Sequence, residues 1–315
     1  MPEGHSVHRL ARRFDQLFVG RQVSASSPQG RFAGGATLID GRWMTRAIAV
    51  GKHMFLEFDN DLWLHVHLGL YGAWDFAGDI HAEALSSPSG EETVVGEHED
   101  SLSSIGAPRR ARLRVSEDET LTGDSENFPA APVGAVRVRL LTHSTVADLR
   151  GPTACDVLRA EEVQAKIDTL GPDPILDSGR KAENRFVASV MKRATPIGLL
   201  LMDQSVVAGI GNVYRAEILF RARLNPYTRG RDLDEKTVRA LWKDWAKLLK
   251  IGVDTGQMLT RDNLGPNPAR GPMARRANRH WVYHREGLPC RVCDFPIVMD
   301  VMGARKLYWC PQDQV

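Results

Sequence analysis

Asp203-Gln204-Ser205-Val206-Val207-Ala208-Gly209-Ile210-Gly211-Asn212-Val213-Tyr214-Arg215-Ala216-Glu217 is the stretch on which the reading of this 315-residue chain turns. It lies between two segments of helical pattern. Glycines at 209 and 211 let a backbone approach a ligand closely. A helix beginning at Asn212 adds unpaired N–H groups and a side-chain amide, a combination suited to a phosphate. Gly-x-Gly-Asn alone says little. Preceded by Asp203-Gln204 and followed by Val213-Tyr214-Arg215-Ala216-Glu217, it becomes specific.

Working outward, Thr195 is expected to cap a helix with Pro196 in its first turn, running through Leu199, Leu200 and Met202. Asn212 to Arg223 forms a second helix closed by Asn225-Pro226. Asp232 and Glu235 resemble a capping box ahead of Val238, Leu241, Trp245 and Leu248. Leu170-Gly171-Pro172-Asp173-Pro174 reads as a linker. Upstream of it the pattern changes. Val7, Leu10, Phe14, Leu17 and Phe18 recur at helical spacing and Gly20 stops that helix. Strands are expected over Thr45 to Val50, in a hairpin of Phe55 to Phe58 and Leu62 to Val66 around Asp59-Asn60-Asp61, over Val136 to Leu141, and at Val146 to Leu149. There is no internal repeat.

The overall charge of +2 hides an asymmetry. Between Gly78 and Val133 twelve acids face four bases, so the rest of the chain carries an excess of about +10, the scale of a surface that follows a phosphate backbone. Residues 78–133, rich in Ser, Glu and Gly, lack sustained periodicity and read as an acidic, flexible insertion, with Ala111 to Val115 a candidate strand inside it. No stretch approaches the ~20 apolar residues of a membrane span, and the N-terminus does not resemble a signal peptide. The expected setting is cytoplasmic and the expected state a monomer.

Cys290-x2-Cys293-x16-Cys310 is half a zinc knuckle with a third thiolate, at a spacing that favours a metal over a disulfide scaffold. The fourth ligand is expected at Asp313, with His284 as an alternative. Arg285, Arg291, Arg305, Lys306, Tyr308 and Trp309 surround these cysteines. Cys155 is solitary and reads as a small core residue. At the other end, loss of Met1 would leave the secondary amine of Pro2 beside Glu3. An α-amino group titrates at about 7.7–8.0, so a useful fraction is nucleophilic at neutral pH. Gly51-Lys52-His53 puts a lysine at a turn, and His65 and His67 share one strand face as packed or site-lining residues. Leu68-Gly69-Leu70-Tyr71-Gly72 sets bulky residues between glycines, a buried turn or a wedge for a gap in stacked bases.

Taken in order, Pro2-Glu3-Gly4, Gly51-Lys52, His67-Leu68-Gly69, Leu170 to Pro174, Gly209-Ile210-Gly211-Asn212 and the cysteine hairpin resemble the formamidopyrimidine-DNA glycosylase/endonuclease VIII family of base-excision repair enzymes. Leu70-Tyr71 and the start His5-Ser6 look like the endonuclease VIII-like branch of actinobacterial type. Two departures from the family pattern stand out. His5-Ser6 replaces the usual Pro-Glu, and Asp313 stands where the family has a fourth cysteine.

The resemblance implies an α+β, multidomain fold: an N-terminal catalytic β-sandwich with a first helix over residues 1–169, a helix–two-turn–helix DNA-binding domain over 170–279, and a zinc-finger β-hairpin over 280–315. It implies that Pro2, Glu3 and Lys52 are catalytic, and that Leu70, Tyr71, Asn212 and Arg305 bind DNA. Cys290, Cys293, Cys310 and Asp313 would hold one structural Zn2+. Its implied activity is a bifunctional glycosylase/AP lyase acting on damaged double- or single-stranded DNA, in a bacterium associated with the nucleoid. Oxidised pyrimidines are the favoured lesion. A purine-lesion glycosylase and a non-catalytic damaged-DNA-binding protein are the alternatives.

Overall fold

The computed structural model describes residues 2–80, 100–101, 103–107, 128–262 and 276–315. The chain divides into two compact units, Met1–Ile167 and Asp168–Val315.

In the first unit, helix α1 (Gly4–Leu17) carries Val7, Leu10, Phe14 and Leu17 on one buried face, and Gly20 at φ +76° turns the chain away. Among the described residues ten antiparallel strands follow: β1 (Gln22–Ser26), β2 (Arg42–Val50), β3 (His53–Phe58), β4 (Leu62–His67), β5 (Ala73–Gly78), β6 (Asp100–Ser101), β7 (Ser104–Gly106), β8 (Val136–Leu141), β9 (Thr145–Arg150) and β10 (Ala154–Arg159). Their order is β10-β4-β3-β2-β1-β8-β9-β5-β7-β6. Strand β1 is the corner of this arrangement. Its first residues, Gln22 and Val23, pair with β2, whereas Ser24 to Ser26 pair with β8. One core takes Leu56 and Leu64 from one half, Trp74, Val138 and Leu149 from the other, and Phe14 of α1. Phe14 meets the Trp74 ring edge-on at 4.8 Å. Burying each such large side chain contributes roughly 1.5–3 kcal/mol. A short helix α2 (Ala33–Ile39) precedes β2, and β10 runs directly into α3 (Ala160–Asp168).

Part of the expected acidic insertion, residues 78–133, belongs to the sheet and its core. Ser104–Gly106 pairs with β5 through Trp74↔Ile105, and Ile105 and Ala107 are buried. Ser104 also donates to the Asp75 carboxylate at 2.6 Å. Three residues are too short for a period-2 pattern to register, so this strand is invisible to periodicity. The candidate strand Ala111 to Val115 lies outside the described residues.

The second unit is helical: α4 (Arg180–Met191), α5 (Ile197–Leu200), α6 (Asn212–Arg221) and α7 (Glu235–Thr255), followed by the hairpin β11 (Val298–Met302) and β12 (Arg305–Trp309). Helix α5 has only four residues and Pro196 is its cap residue, shorter than the run to Met202 expected. The chain turns back because Asp203 Oδ1 accepts from the Ser205 N–H at 2.9 Å, an Asx turn in competition with the helix. The N-cap of α7 is Asp234, which accepts from Thr237 N–H at 2.8 Å, two residues beyond the capping box expected at Asp232 and Glu235. Phe186, Tyr214, Trp242 and Trp245 centre the helical core. A smaller core joins Ala216 and Phe220 of α6 to Val282, Ile297, Tyr308, Cys290 and Cys310, so the cysteine hairpin shares its interior with α6.

Candidate functional site

The first unit presents Pro2 and Glu3 at the head of α1, both buried, with Glu3 fully so. The Glu3 carbonyl accepts from Ser6 N–H at 3.1 Å, which starts the helix. His5 and Ser6, the departures from the family pattern, are buried in the first turn of α1, with Ser6 Oγ 3.2 Å from His5 Nε2. Burial first, then the positive charge of Arg9, pushes the His5 imidazole down to about 3. Helix α1 packs on β2 and β3, whose connecting turn carries Lys52. Gly51 provides that turn at φ +59°.

Leu70 and Tyr71 stand out of the loop between β4 and β5, 46% and 61% exposed. The loop beneath them is fixed. Gly72 N–H donates to Leu68 O at 3.0 Å, Thr153 N–H to His67 O at 2.9 Å, and Ala107 N–H to Gly72 O at 3.0 Å. Gly69 sits at φ +66° against Thr153, with no room for a side chain. The turn is buried at Leu68 and Gly72 and exposed at Leu70 and Tyr71, so two large apolar side chains stand out on a fixed base.

On the second unit, Gly209 (φ +94°) and Gln204 shape the loop into α6. Gln204 Oε1 accepts from Gly209 N–H at 3.0 Å while its amide donates to Ile210 O at 3.1 Å. The linker at Gly171 is tied to the same loop by its N–H to Gln204 O at 2.7 Å. Asn212 begins α6, and its amide donates to Lys306 O at 2.7 Å. Arg215, one turn on and fully buried, donates to Lys306 O at 3.0 Å, to Met302 O at 3.3 Å and to the Asn212 side-chain oxygen. These bonds carry the tip of the β11–β12 hairpin, with exposed Arg305, to the start of α6. Asn212 and Arg305 are therefore brought together, by a residue that motif reading gave no role.

Glu217 has a structural role of the same kind. Its carboxylate accepts from the N–H groups of Trp281, Val282 and Tyr283 at 2.7–2.9 Å and from the Thr260 hydroxyl, anchoring the approach to the hairpin on α6. Only the i, i+4 pattern of α6, which turns both Val213 and Glu217 to one side, hints at this.

The side chains of Cys290, Cys293, Cys310 and Asp313 converge, with ligand atoms all within 4.8 Å of one another. Cys293 Sγ lies 3.5 Å from Cys310 Sγ, and Asp313 Oδ2 lies 3.4 Å from Cys290 Sγ. A tetrahedron of thiolates at about 2.3 Å from zinc has edges of roughly 3.8 Å, so the donor set fits a metal of that size. Burial pushes the Cys290 thiol up to about 12, and a divalent cation would reverse that by stabilising the thiolate. His284 is not part of the cluster. It stacks on Tyr308 at 5.2 Å, and Asp313 is the fourth residue of the group that could hold a metal ion.

Cys155 is partly buried in β10 with its thiol pushed up to about 12 by burial. No helix among the described residues is long and apolar enough to cross a membrane.

The formamidopyrimidine-DNA glycosylase N-terminal domain family matches residues 1–122, and the formamidopyrimidine-DNA glycosylase H2TH domain family matches residues 170–263. Endonuclease 8 1 of Mycobacterium tuberculosis is 35% identical over 99% of this chain and 98% of its own. A formamidopyrimidine-DNA glycosylase of Thermus thermophilus is 37% identical over 46% of this chain and 53% of its own. Among solved structures, Lactococcus lactis Fpg bound to DNA containing N7-benzyl-Fapy-dG superposes with a TM-score of 0.71 at 19% identity, covering 99% of both chains. Thermus thermophilus Fpg does so at 0.68 and 24% identity, covering 99% of this chain and 98% of its own.

Proposed function

Because this chain belongs to the formamidopyrimidine-DNA glycosylase/endonuclease VIII family of DNA glycosylases, we propose that it excises oxidised bases, with pyrimidines preferred, and then cleaves the strand as an AP lyase. The observation that supports this most directly is the placement of Pro2 and a fully buried Glu3 at the head of α1. Freed of Met1, the Pro2 nitrogen attacks C1′ of the damaged nucleoside, the base departs with the glycosidic electron pair, and the N–H proton of the resulting ammonium passes to the departing base. Glu3 gives a proton to the ring oxygen, the sugar opens, and the nitrogen lone pair closes to an iminium ion. That cation acidifies C2′. Loss of a C2′ proton expels the 3′-phosphate, and a second elimination expels the 5′-phosphate. Lys52 stabilises the charge on a leaving phosphate, and Asn212 and Arg305 hold backbone phosphates without reading sequence.

Extruding the nucleotide costs a few kcal/mol, least at a damaged base, and Leu70 and Tyr71 fill the vacated space. The preference for pyrimidines rests on this Leu-Tyr pair. Zinc on Cys290, Cys293, Cys310 and Asp313 is structural and stabilises the hairpin that presents Arg305. The substrate is DNA with a single damaged base.

Borohydride tests the chemistry, because it reduces an iminium to a stable amine. Protein should be trapped on DNA containing an abasic site. Pro2→Thr, or a tag retained ahead of Pro2, should abolish most trapping. Undiminished trapping of the blocked protein would assign the nucleophile to a lysine instead. Oligonucleotides each carrying one defined lesion test the preference for pyrimidines.

A further inference from the structure

Beside the cysteine knuckle of the second unit stands a group of arginines that the proposed chemistry does not use. Arg261 donates to Asn278 O at 3.0 Å and Arg291 to Ala277 O at 2.7 Å, so two guanidinium groups rest on adjacent carbonyls of one short turn. Arg285 donates to Pro289 O at 2.8 Å, two residues before Arg291. Each is held through one Nη by a neutral carbonyl, which fixes its direction and leaves its charge. The Nε of each is buried without a partner. Among the described residues no carboxylate forms an ion pair with any of the three. Glu217 is occupied by its own four donors, and Asp262 lies 3.1 Å from Arg221. From Arg261 to Arg291 the chain holds seven arginines against two acids, Asp262 and Glu286. Burial first, then the charge of Arg261, lowers the Arg285 guanidinium, and burial, Arg285 and Arg261 lower Arg291.

The same knuckle is apolar where it meets solvent. Leu288, Val292 and Phe295 are 42–50% exposed, and Pro289 and Pro296 are exposed with them. Their backbone is fixed. Cys290 N–H donates to Phe295 O at 2.8 Å, Ile297 N–H to Leu288 O at 3.0 Å and Gly287 N–H to Ile297 O at 2.9 Å. Large apolar side chains exposed on a fixed backbone mark an interaction surface. A phosphate backbone would use the arginines and leave these side chains idle. Nor does Trp281 offer a base a platform, since Phe220 stacks on its ring at 5.5 Å and the Arg261 guanidinium lies over it at 5.3 Å.

We propose that this face of the cysteine hairpin docks an acidic segment of a partner protein, one in which Asp or Glu is interspersed with bulky apolar residues. Its carboxylates meet the unbonded Nη groups of Arg261, Arg285 and Arg291, and its apolar side chains cover Leu288, Val292 and Phe295. Arginine suits this role, because its planar fork can give a carboxylate two parallel bonds. Salt screens the charged contacts and not the apolar ones, so binding should weaken with salt without vanishing. The face lies at the cysteine end of β12, roughly 17 Å along the strand from Arg305 at about 3.4 Å per residue. It is therefore separate from the candidate phosphate clamp.

Random short peptides displayed on phage and selected on the wild-type full chain test the proposal. Enriched peptides should carry acids interspersed with Leu, Phe or Trp. Resynthesised with Asn and Gln for the acids, or with Ser for the apolar residues, they should bind about tenfold more weakly, the scale of one hydrogen bond to a charged group. Arg285→Gln with Arg291→Gln, and separately Leu288→Ser with Phe295→Ser, should weaken the parent peptides by a similar factor. Melting temperatures matched to wild type separate a lost surface from a lost fold. Phenylglyoxal, which modifies arginine, reads the wild-type chain directly: a bound peptide should shield Arg285 and Arg291, scored by mass spectrometry of the digest. Selection that enriches no peptide, or only peptides without acids, would overturn the docking face. So would Arg285 and Arg291 left reactive under a bound peptide. An undamaged DNA duplex that shields the same two arginines would make them a phosphate contact and sink the proposal.

Discussion

The side-chain amide of Asn212 donates to the backbone carbonyl of Lys306 at 2.7 Å, across 94 residues of chain. An asparagine expected to meet a phosphate thus also holds the hairpin that brings Arg305 beside it. The same Lys306 carbonyl accepts from Arg215. Two donors on α6 therefore lock the tip of β11–β12 in place, and the candidate phosphate clamp is assembled by bonds within the second unit.

Arg215→Met should loosen that clamp. The substitution keeps the volume but leaves the Met302 carbonyl and the Asn212 oxygen without this donor, while the Lys306 carbonyl keeps its bond from Asn212, at a cost of about 1–3 kcal/mol for each buried group left unsatisfied. The expected outcome is a lower melting temperature and weaker DNA binding with Arg305 intact. A binding isotherm that matches wild type would show that the hairpin tip does not depend on Arg215.

One equivalent of zinc should accompany protein purified without chelator, held by three thiolates and the Asp313 carboxylate. Asp313→Cys should raise zinc affinity, because a fourth thiolate is the commoner structural donor, and Asp313→Ala should lower it. Competition with a chromophoric chelator measures both. Equal zinc affinity in the Ala variant would remove Asp313 from the site.

The tip of β11–β12 is a two-residue turn in which Gly303 and Ala304 have φ of +61° and +57°. Both signs are those of a type I′ hairpin turn, which suits glycine or asparagine and strains alanine. Ala304→Gly should stabilise the folded chain by up to about 1 kcal/mol, less what glycine adds to the entropy of the unfolded chain. Urea unfolding of the metal-loaded protein is the measurement, and a drop in midpoint would contradict the assignment.

Residues 81–99 contain Glu83, Glu91, Glu92, Glu97 and Glu99 and no lysine or arginine. Replacing them with a Gly/Ser link should tighten non-specific DNA binding at low salt, with the difference shrinking as salt rises. The strand at Ser104–Gly106 must be retained. Ile105→Asp should unfold the first unit, because it places a charge in a core that offers it no partner. Wild-type stability in that variant would mean β7 is dispensable.

Stability should depend on pH through the buried histidines. His5, His53 and His65 are held at about 3, 3 and 4, below the ordinary value of about 6.5 that each regains on unfolding. Their folded-state pKa values are depressed, so the unfolded chain binds more protons below pH 6.5. Their contribution is constant above that value and is lost as pH falls toward 4. Between pH 6.5 and 4.5, before most carboxylates titrate, unfolding free energy should drop steadily. His65→Phe should flatten that slope. A slope unchanged by this substitution would remove His65 from the effect.

Much of the architecture could be read directly from residues 1–315. Helical spacing located α1 and α6, the Asp59-Asn60-Asp61 turn located the β3–β4 hairpin, and the cysteine spacing located three of the four side chains that converge as possible metal ligands. Each is a local signal, a period or a turn residue repeated within a few positions. Asp313, which converges with them, was also visible, because a position in a knuckle follows from spacing along the chain. What sequence could not show depends on residues far apart in the chain. Strand β7 is too short to have a period, and only its pairing with β5 makes it a strand. Arg215 and Glu217 were visible as letters of a motif, but their partners, Lys306 and Trp281 to Tyr283, lie 64 to 91 residues away. His65 and His67 share a face by simple alternation. That His53 and Asp156 lie beside them is a matter of strand register, which is set by which side chains the sheet buries and not by any one strand's own sequence.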